Sequence, residues 1–298
     1  MSNLFHLIKQ CGLACTLKKI KRRIFIRDEA IMSQLSVLGA YDYLQKYKYM
    51  LNQPVEIPAG DVENPYPNKI WTMWLQGLEN APKIVQHCIA SIQKRYRDDL
   101  IILTSDNFSH YVDIPDFVIE KNKKGIITNT HFSDIVRFSL IKKYGGMWLD
   151  STIFLLDDIP DYMRFADVFF HNGVNEKIIA SINVMAAKPY HPIIIKTINL
   201  MMAFWENENH MPSYGIHMIL LTMAIHSSPE TESLWNAMPY IYSINKQILW
   251  RKLFDPYNAT DFEIMKQLSV FQKLSWKALQ EKYEIKGTFY DRLVKGTT

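Results

Sequence analysis

The stretch from His131 to Thr152 concentrates side chains able to do chemistry. Asp134 and Arg137 stand three apart in a helical pattern, so they share a face and can pair. Gly145 and Gly146 then stop the helix and let the backbone turn tightly. Met147, Trp148 and Leu149 read as a short apolar strand, and a carboxylate follows at Asp150, with Ser151 and Thr152 behind it. In an open α/β sheet, ligands bind beyond the carboxyl ends of the strands. A carboxylate at that point suits a hard cation such as Mg²⁺ or Mn²⁺, held together with the phosphates of a substrate. Each piece alone has a plainer reading as a solvated helix pair, a helix stop or a turn. Their conjunction in one short segment marks a site.

The elements that must position this segment alternate between strand and helix. Ile70–Leu75 is an aromatic-rich strand candidate, and Pro82 opens a helix whose apolar positions Ile84, Val85, Cys88, Ile89 and Ile92 follow a 3.6-residue period. Leu100–Leu103 reads as a strand buried on both faces. His131–Tyr144 is a second helix with Ile135, Phe138 and Ile141 as its packing stripe, and Met147–Leu156 a strand after it. Val168–Phe170 and Ile182–Ala186 are further strands, and Pro192–Trp205 a further helix. This alternation predicts an α/β fold with a mostly parallel central sheet flanked by helices. The last third, with Trp235, Trp250 and Trp276 scattered through it, gives no clear pattern.

Ser133-Asp134-Ile-Val-Arg137 followed by Tyr144-Gly-Gly-Met-Trp-Leu-Asp150 resembles the signature of DxD-containing glycosyltransferases. The nearest group is the bacterial capsular polysaccharide synthesis glycosyltransferases, with the yeast initiating α-mannosyltransferase and the glucosylating clostridial toxins more distant. Lys69–Gly77, Glu79–Gln86, Gln272–Lys277 and Gly287–Asp291 resemble further parts of the capsular group, so the likeness runs from about residue 66 to 292. It implies a GT-A, Rossmann-like fold and retaining transfer of a sugar from a nucleotide donor, UDP-linked by the same likeness. Trp74 would stack on the donor base, and Ser133, Asp134 and Arg137 would contact the donor sugar. Trp148 would line the donor site, and Asp150 would engage a metal–diphosphate unit with Mn²⁺ or Mg²⁺. Trp276 and Lys277 would join the donor site from the C-terminal side. Two positions depart from the pattern. Thr152 stands at the second acidic position of the DxD, where a neutral hydroxyl is a poorer metal ligand, and Gln272 stands where a histidine is expected.

Leaving-group chemistry agrees with these residue types. A departing nucleoside diphosphate develops charge on its β-phosphate, which a metal ion or fixed cations stabilise. Lys273 and Lys277 are candidates to cap it. Other ionisable residues carry less: His210 and His217 lack an adjacent acid, and His131 reads as a helix start. No GxGxxG, P-loop or G-x-S-x-G motif is present, so nicotinamide, phosphoryl-transfer and serine-hydrolase chemistry lack support.

The net charge of +4 is unevenly spread. Residues 1–27 carry seven basic side chains and no acidic one, leaving 27 basic against 30 acidic in the rest. The body is therefore no nucleic-acid-binding surface. Residues 4–27, with Leu4, Leu7, Ile8, Cys11 and Cys15 as an apolar stripe, read as a basic amphipathic helix suited to an anionic membrane surface. No apolar run reaches the ~20 residues needed to span a bilayer. Cys11, Cys15 and Cys88 are too few and wrongly spaced for a disulfide framework or a zinc site. The expected layout is a helical extension at 1–51, a proline-rich linker at 52–68 and a glycosyltransferase domain at 69–298. The expected setting is cytoplasmic, peripheral on the inner face of the cell membrane, with a lipid-linked oligosaccharide acceptor. A protein-modifying transferase and a catalytically silent nucleotide-sugar-binding protein are the alternatives.

Overall fold

The computed structural model describes residues 28–55, 57–58, 63–277 and 284–297, with isolated positions 8, 12, 13, 16, 17 and 20. The basic amphipathic helix expected over residues 4–27 lies largely outside the described residues. Helix α1 (Glu29–Leu44) is capped by Asp28, whose side chain accepts from the backbone amides of Ala30 and Ile31, and a 3₁₀ segment, Gln45–Asn52, continues it. Val37, Ala40, Leu44, Tyr47 and Leu51 are buried in the same apolar core as the sheet. Glu208 fastens this segment down, accepting hydrogen bonds from Tyr43 and Tyr47 and pairing with Lys46. No helix among the described residues is long and apolar enough to cross a membrane.

The central sheet has five strands, β1 (Ile70–Met73), β2 (Leu100–Leu103), β3 (Gly146–Leu149), β5 (Val168–Asn175) and β6 (Ile178–Ala187), in the order β2-β1-β3-β6-β5. β1 runs parallel to β2 and β3, while β6 is antiparallel to both β3 and β5. Four strands therefore point one way and β6 alone opposes them, because β5 and β6 form a hairpin. β2 is an edge strand, and three of its four residues are only partly buried, where the sequence predicts burial on both faces. Helix α2 (Lys83–Tyr96) crosses from β1 to β2, α3 (Asp116–Lys123) and α4 (Asn129–Tyr144) from β2 to β3. After β6, the apolar α5 (Pro192–Asn207) and α6 (Ile216–Ile225) complete the core.

The predicted strand Met147–Leu156 is in fact two. β3 stops at Leu149, the chain turns through Asp150–Thr152, and β4 (Ile153–Leu155) leaves the main sheet to pair antiparallel with β7 (Phe271–Lys273). The turn is closed by the Ile153 amide donating to the Asp150 carbonyl at 2.8 Å. The double glycine makes the approach to β3 possible. Both glycines have positive φ, 65° and 85°. A Cβ on Gly145 would lie 2.7 Å from the Ala187 carbonyl oxygen, and one on Gly146 only 2.3 Å from that of Lys69. Trp71 stacks on Tyr144 beside this junction and donates to the Gly145 carbonyl at 3.0 Å. Tyr66, in the proline-rich lead-in, packs edge-on to Trp71, Tyr111 and Tyr144.

Three buried histidines set an acid limit to the fold. Burial holds His131 and His191 down to about 4 and His171 well below its ordinary value. Each is neutral when folded but takes up a proton near pH ~6.5 once unfolded. The unfolded chain thus binds more protons below that point, and stability falls as pH drops from ~6.5 towards 4. The slope approaches ~1.4 kcal/mol per pH unit for each histidine. Urea unfolding at pH 7 and pH 5 measures this directly. Equal midpoints and slopes at the two pH values would contradict a neutral buried state for these rings.

Candidate active site

Asp150 is delivered to the site by strand geometry. It emerges from the carboxyl end of β3 on the same face as Trp148, two residues back. The Trp148 indole N–H donates to Asp150 Oδ1 at 2.9 Å, and Arg137 Nη2 donates to the same oxygen at 2.8 Å. Lys273 Nζ donates to Oδ2 at 2.9 Å. Burial pushes the Asp150 carboxyl up, but the charges of Lys273 and Arg137 and the hydrogen bonds from Trp148 and Lys273 outweigh it and hold it down to about 2. Asp150 is therefore a carboxylate throughout the neutral range.

Arg137 comes from α4, which is capped by Thr128 and buried on most of its circumference. The Asp134–Arg137 pair expected from the i, i+3 spacing forms at 3.0 Å, and neither side chain is solvated. Arg137 also donates to the Ile182 carbonyl and lies 4.7 Å from the centroid of the Trp148 ring. Both Nη atoms of the buried guanidinium are engaged, and the two carboxylates offset the cost of burying its charge. Asp134 Oδ1 accepts from Arg137 and its Oδ2 is hydrogen-bonded to His217 Nδ1 at 2.9 Å, so it positions Arg137. His217 Nε2 accepts from the Trp205 indole N–H at 2.8 Å, which puts the His217 proton on Nδ1, towards Asp134. His131, two residues into α4 rather than at its start, packs edge-on to His217 with 5.1 Å between ring centroids and hydrogen-bonds the Tyr214 carbonyl through Nε2.

These residues border two compartments. The larger is a cleft of about 530 Å³ lined by Trp74, Ser133, Arg137, Trp148, Asp150 and Thr152, with Tyr214, Lys273 and Trp276 on its other side. The smaller, about 220 Å³, lies between Asp134, Asn183 and His217, and shares Arg137, Asp150, Tyr214 and Lys273 with the first. The structure thus gathers Trp74, Ser133, Asp134, Arg137, Trp148, Asp150, Thr152 and Trp276 around one locus. Lys277 does not line either compartment: its ammonium lies 5.6 Å from the Trp276 ring. Lys273, the other candidate, lines both. Gln272 is structural, accepting from the Leu249 amide at 2.9 Å and donating to the Ser269 carbonyl at 3.0 Å.

Sequence reasoning missed Tyr214 and set His217 aside for want of an adjacent acid; both reach the site across the tertiary fold, where Asp134 supplies that acid. The same reasoning missed Lys246, buried with its Nζ on Ser181 Oγ at 3.0 Å. Desolvation, with the nearby Lys273 charge, lowers Lys246 to about 7.

The donor set does not fit a divalent cation well. Asp150 is the single carboxylate of the Asp-Ser-Thr triplet, and the Lys273 ammonium already bridges Asp150 Oδ2 and Thr152 Oγ1. Among the described residues, no cluster of three or more His, Cys, Asp or Glu side chains could hold a metal ion.

Comparison with known proteins agrees with the motif. The chain is 26% identical over 258 residues to the O-glycosyltransferase braB of Annulohypoxylon truncatum, covering 76% of this chain and 58% of that protein. It spans, then, little more than half of that relative's length. Among solved structures it is similar to the PaToxG glycosyltransferase, at 14% identity and a TM-score of 0.36, over 91% of this chain and 98% of the other. The model of the capsular polysaccharide synthesis protein family matches residues 30–293, nearly all of the described body. The chain belongs to the capsular polysaccharide synthesis protein family.

Proposed function

We propose that the protein is a glycosyltransferase that moves a sugar from a nucleoside diphosphate donor to an acceptor hydroxyl in surface polysaccharide synthesis. The observation that carries this reading is Asp150 at the carboxyl end of β3, locked between Arg137 and Lys273 on a cleft walled by Trp74 and Trp276. Two indoles offer faces for a base, and two fixed cations offer charge for a diphosphate. The large compartment suits the nucleotide and the smaller one the transferred sugar and the incoming hydroxyl. A UDP-linked donor and a lipid-linked oligosaccharide acceptor are the specific substrates proposed, from the likeness to the capsular group. So is peripheral attachment to the cytoplasmic membrane face through residues 4–27.

In the transfer, the bond from the anomeric carbon to the β-phosphate oxygen breaks while the acceptor oxygen bonds to that carbon. The acceptor's proton passes to the departing phosphate oxygen. Asp134 and Asp150 are the only carboxylates among the described residues lining the two compartments, and both are engaged by Arg137. Neither is free to serve as a nucleophile or as a general base for the acceptor, which speaks against both double displacement and inversion and supports front-face transfer with retention.

A screen of nucleotide sugars for consumption by the full chain tests the reading, and release of nucleoside diphosphate from at least one donor is expected. Within that screen, Trp74→Ala is expected to raise the donor KM by 10- to 100-fold with kcat little changed. Base–aromatic stacking is worth about 1–3 kcal/mol. An unchanged KM would assign Trp74 to the apolar cluster it packs against, which includes Ile84, Val85 and Cys88.

A further inference from the structure

The Asp-Ser-Thr triplet raises a specific question: what neutralises the leaving diphosphate when the second acidic position is a threonine? The fold answers with a side chain. β7 pairs antiparallel with β4 so that Lys273 stands opposite Ile153, the residue after Thr152. The Leu274 amide donates to the Thr152 carbonyl at 2.9 Å, which closes the backbone of the two segments around the turn. Lys273 Nζ thereby sits between Asp150 Oδ2, at 2.9 Å, and Thr152 Oγ1. Those are the first and third positions of the triplet, the two that a bridging cation would occupy.

We propose that Lys273 is the built-in cation of this site, and that it binds and neutralises the β-phosphate in place of a divalent metal. The inference rests on the nucleotide-sugar reading above. Three observations support it. The triplet carries one negative charge, Asp150, and that charge is already balanced on both oxygens by Arg137 and Lys273. A divalent ion placed between Asp150 and Thr152 would have to displace the ammonium, and Asp150 is the one carboxylate in its reach, since Asp134 is already paired with Arg137 and His217. The lysine is held by strand pairing and is not a mobile surface side chain; it is about one quarter exposed and lines both compartments. Lys273 keeps two things a metal would supply: a positive charge at the β-phosphate, and an anchor to the Asp150 carboxylate that fixes where that charge sits. An ammonium has three N–H donors. Two are spent on Asp150 and Thr152, and the third is free to reach a phosphate oxygen. When the anomeric carbon–oxygen bond breaks, the electron pair goes to that β-phosphate oxygen. Lys273 stabilises the charge by hydrogen bonding and keeps its proton, while the acceptor's proton goes to the phosphate.

The experiment is calorimetric titration of UDP into the full chain, with EDTA and then with excess Mn²⁺, for the wild type, Lys273→Met and Lys273→Arg. Manganese binding to the nucleotide-free protein is followed in parallel by the free-ion electron paramagnetic resonance signal. The expected result is UDP affinity within about 2-fold with EDTA or with Mn²⁺, and no loss of the free Mn²⁺ signal on adding protein. Lys273→Met should bind UDP at least ~10-fold more weakly, as expected when one charged partner is removed. Lys273→Arg should recover part of that loss. UDP binding by the wild type that is abolished by EDTA and restored by Mn²⁺ would overturn the proposal while upholding the transferase reading. So would Lys273→Met binding UDP as tightly as the wild type. UDP binding under no condition, together with no response to other nucleoside diphosphates, would overturn both.

Discussion

Asp150→Asn is expected to reduce sugar transfer by at least ~10²-fold. The carboxylate accepts from Trp148, Arg137 and Lys273 at once, so the amide removes the charge and turns an NH2 donor either towards Lys273 or towards Arg137 and Trp148. Lys273 then loses its anionic partner and Arg137 one of its two, and a preorganised donor to the transition state is typically worth ~10²–10³ in rate. The expected pattern is a large fall in kcat with a folded protein by circular dichroism. Near-normal turnover would remove Asp150 from the reaction centre. A variant that fails to fold would instead show that the carboxylate's main effect is to balance the buried Arg137.

Gly146→Ala carries the largest expected effect on stability, about 3 kcal/mol or more. The backbone there has φ 85°, and the new Cβ would meet the Lys69 carbonyl oxygen at 2.3 Å. Strain in the left-handed region costs an alanine about 1–2 kcal/mol. The clash is with backbone of the lead into β1, which cannot move without disturbing the parallel β1–β3 pairing, where Ile70 faces Met147. Overpacking of that kind adds about 1–3 kcal/mol. Urea denaturation of the variant and the wild type checks the figure. A difference under ~1 kcal/mol would mean that the junction yields, and that the second glycine is not required by packing.

The double glycine also shows where a sequence stops being legible. Gly145 and Gly146 announce a helix stop because glycine is the residue that turns a helix end cheaply. Nothing in the local sequence says that the second must be glycine because Lys69, far back in the chain, passes within contact range. Asp134, Arg137 and Asp150 stood out because one helix, one turn and one strand hold them in a short segment, whose likeness to a known signature supplied the roles expected of them. The two-strand split after Asp150 was not readable. Met147–Leu156 is apolar enough for one strand, and the break depends on β7 arriving to pair with β4. The alternation with helices pointed to a mostly parallel sheet, and the strand that runs against the rest, β6, is set by its hairpin with β5.

Local spacing by itself determined the class of fold and the helix and strand that flank the site, while the likeness of Ser133–Asp150 to a known signature singled out Asp150 and Arg137. Burial decided what each charge does, because the same Asp134–Arg137 spacing on an exposed helix would be a weak solvated pair. Lys273 is 121 residues from Thr152 and His217 is 83 from Asp134. Such pairs have no signature in composition or period; they meet only because the chain's apolar faces pack together, and a single folded arrangement of those faces fixes which distant side chains share a cleft.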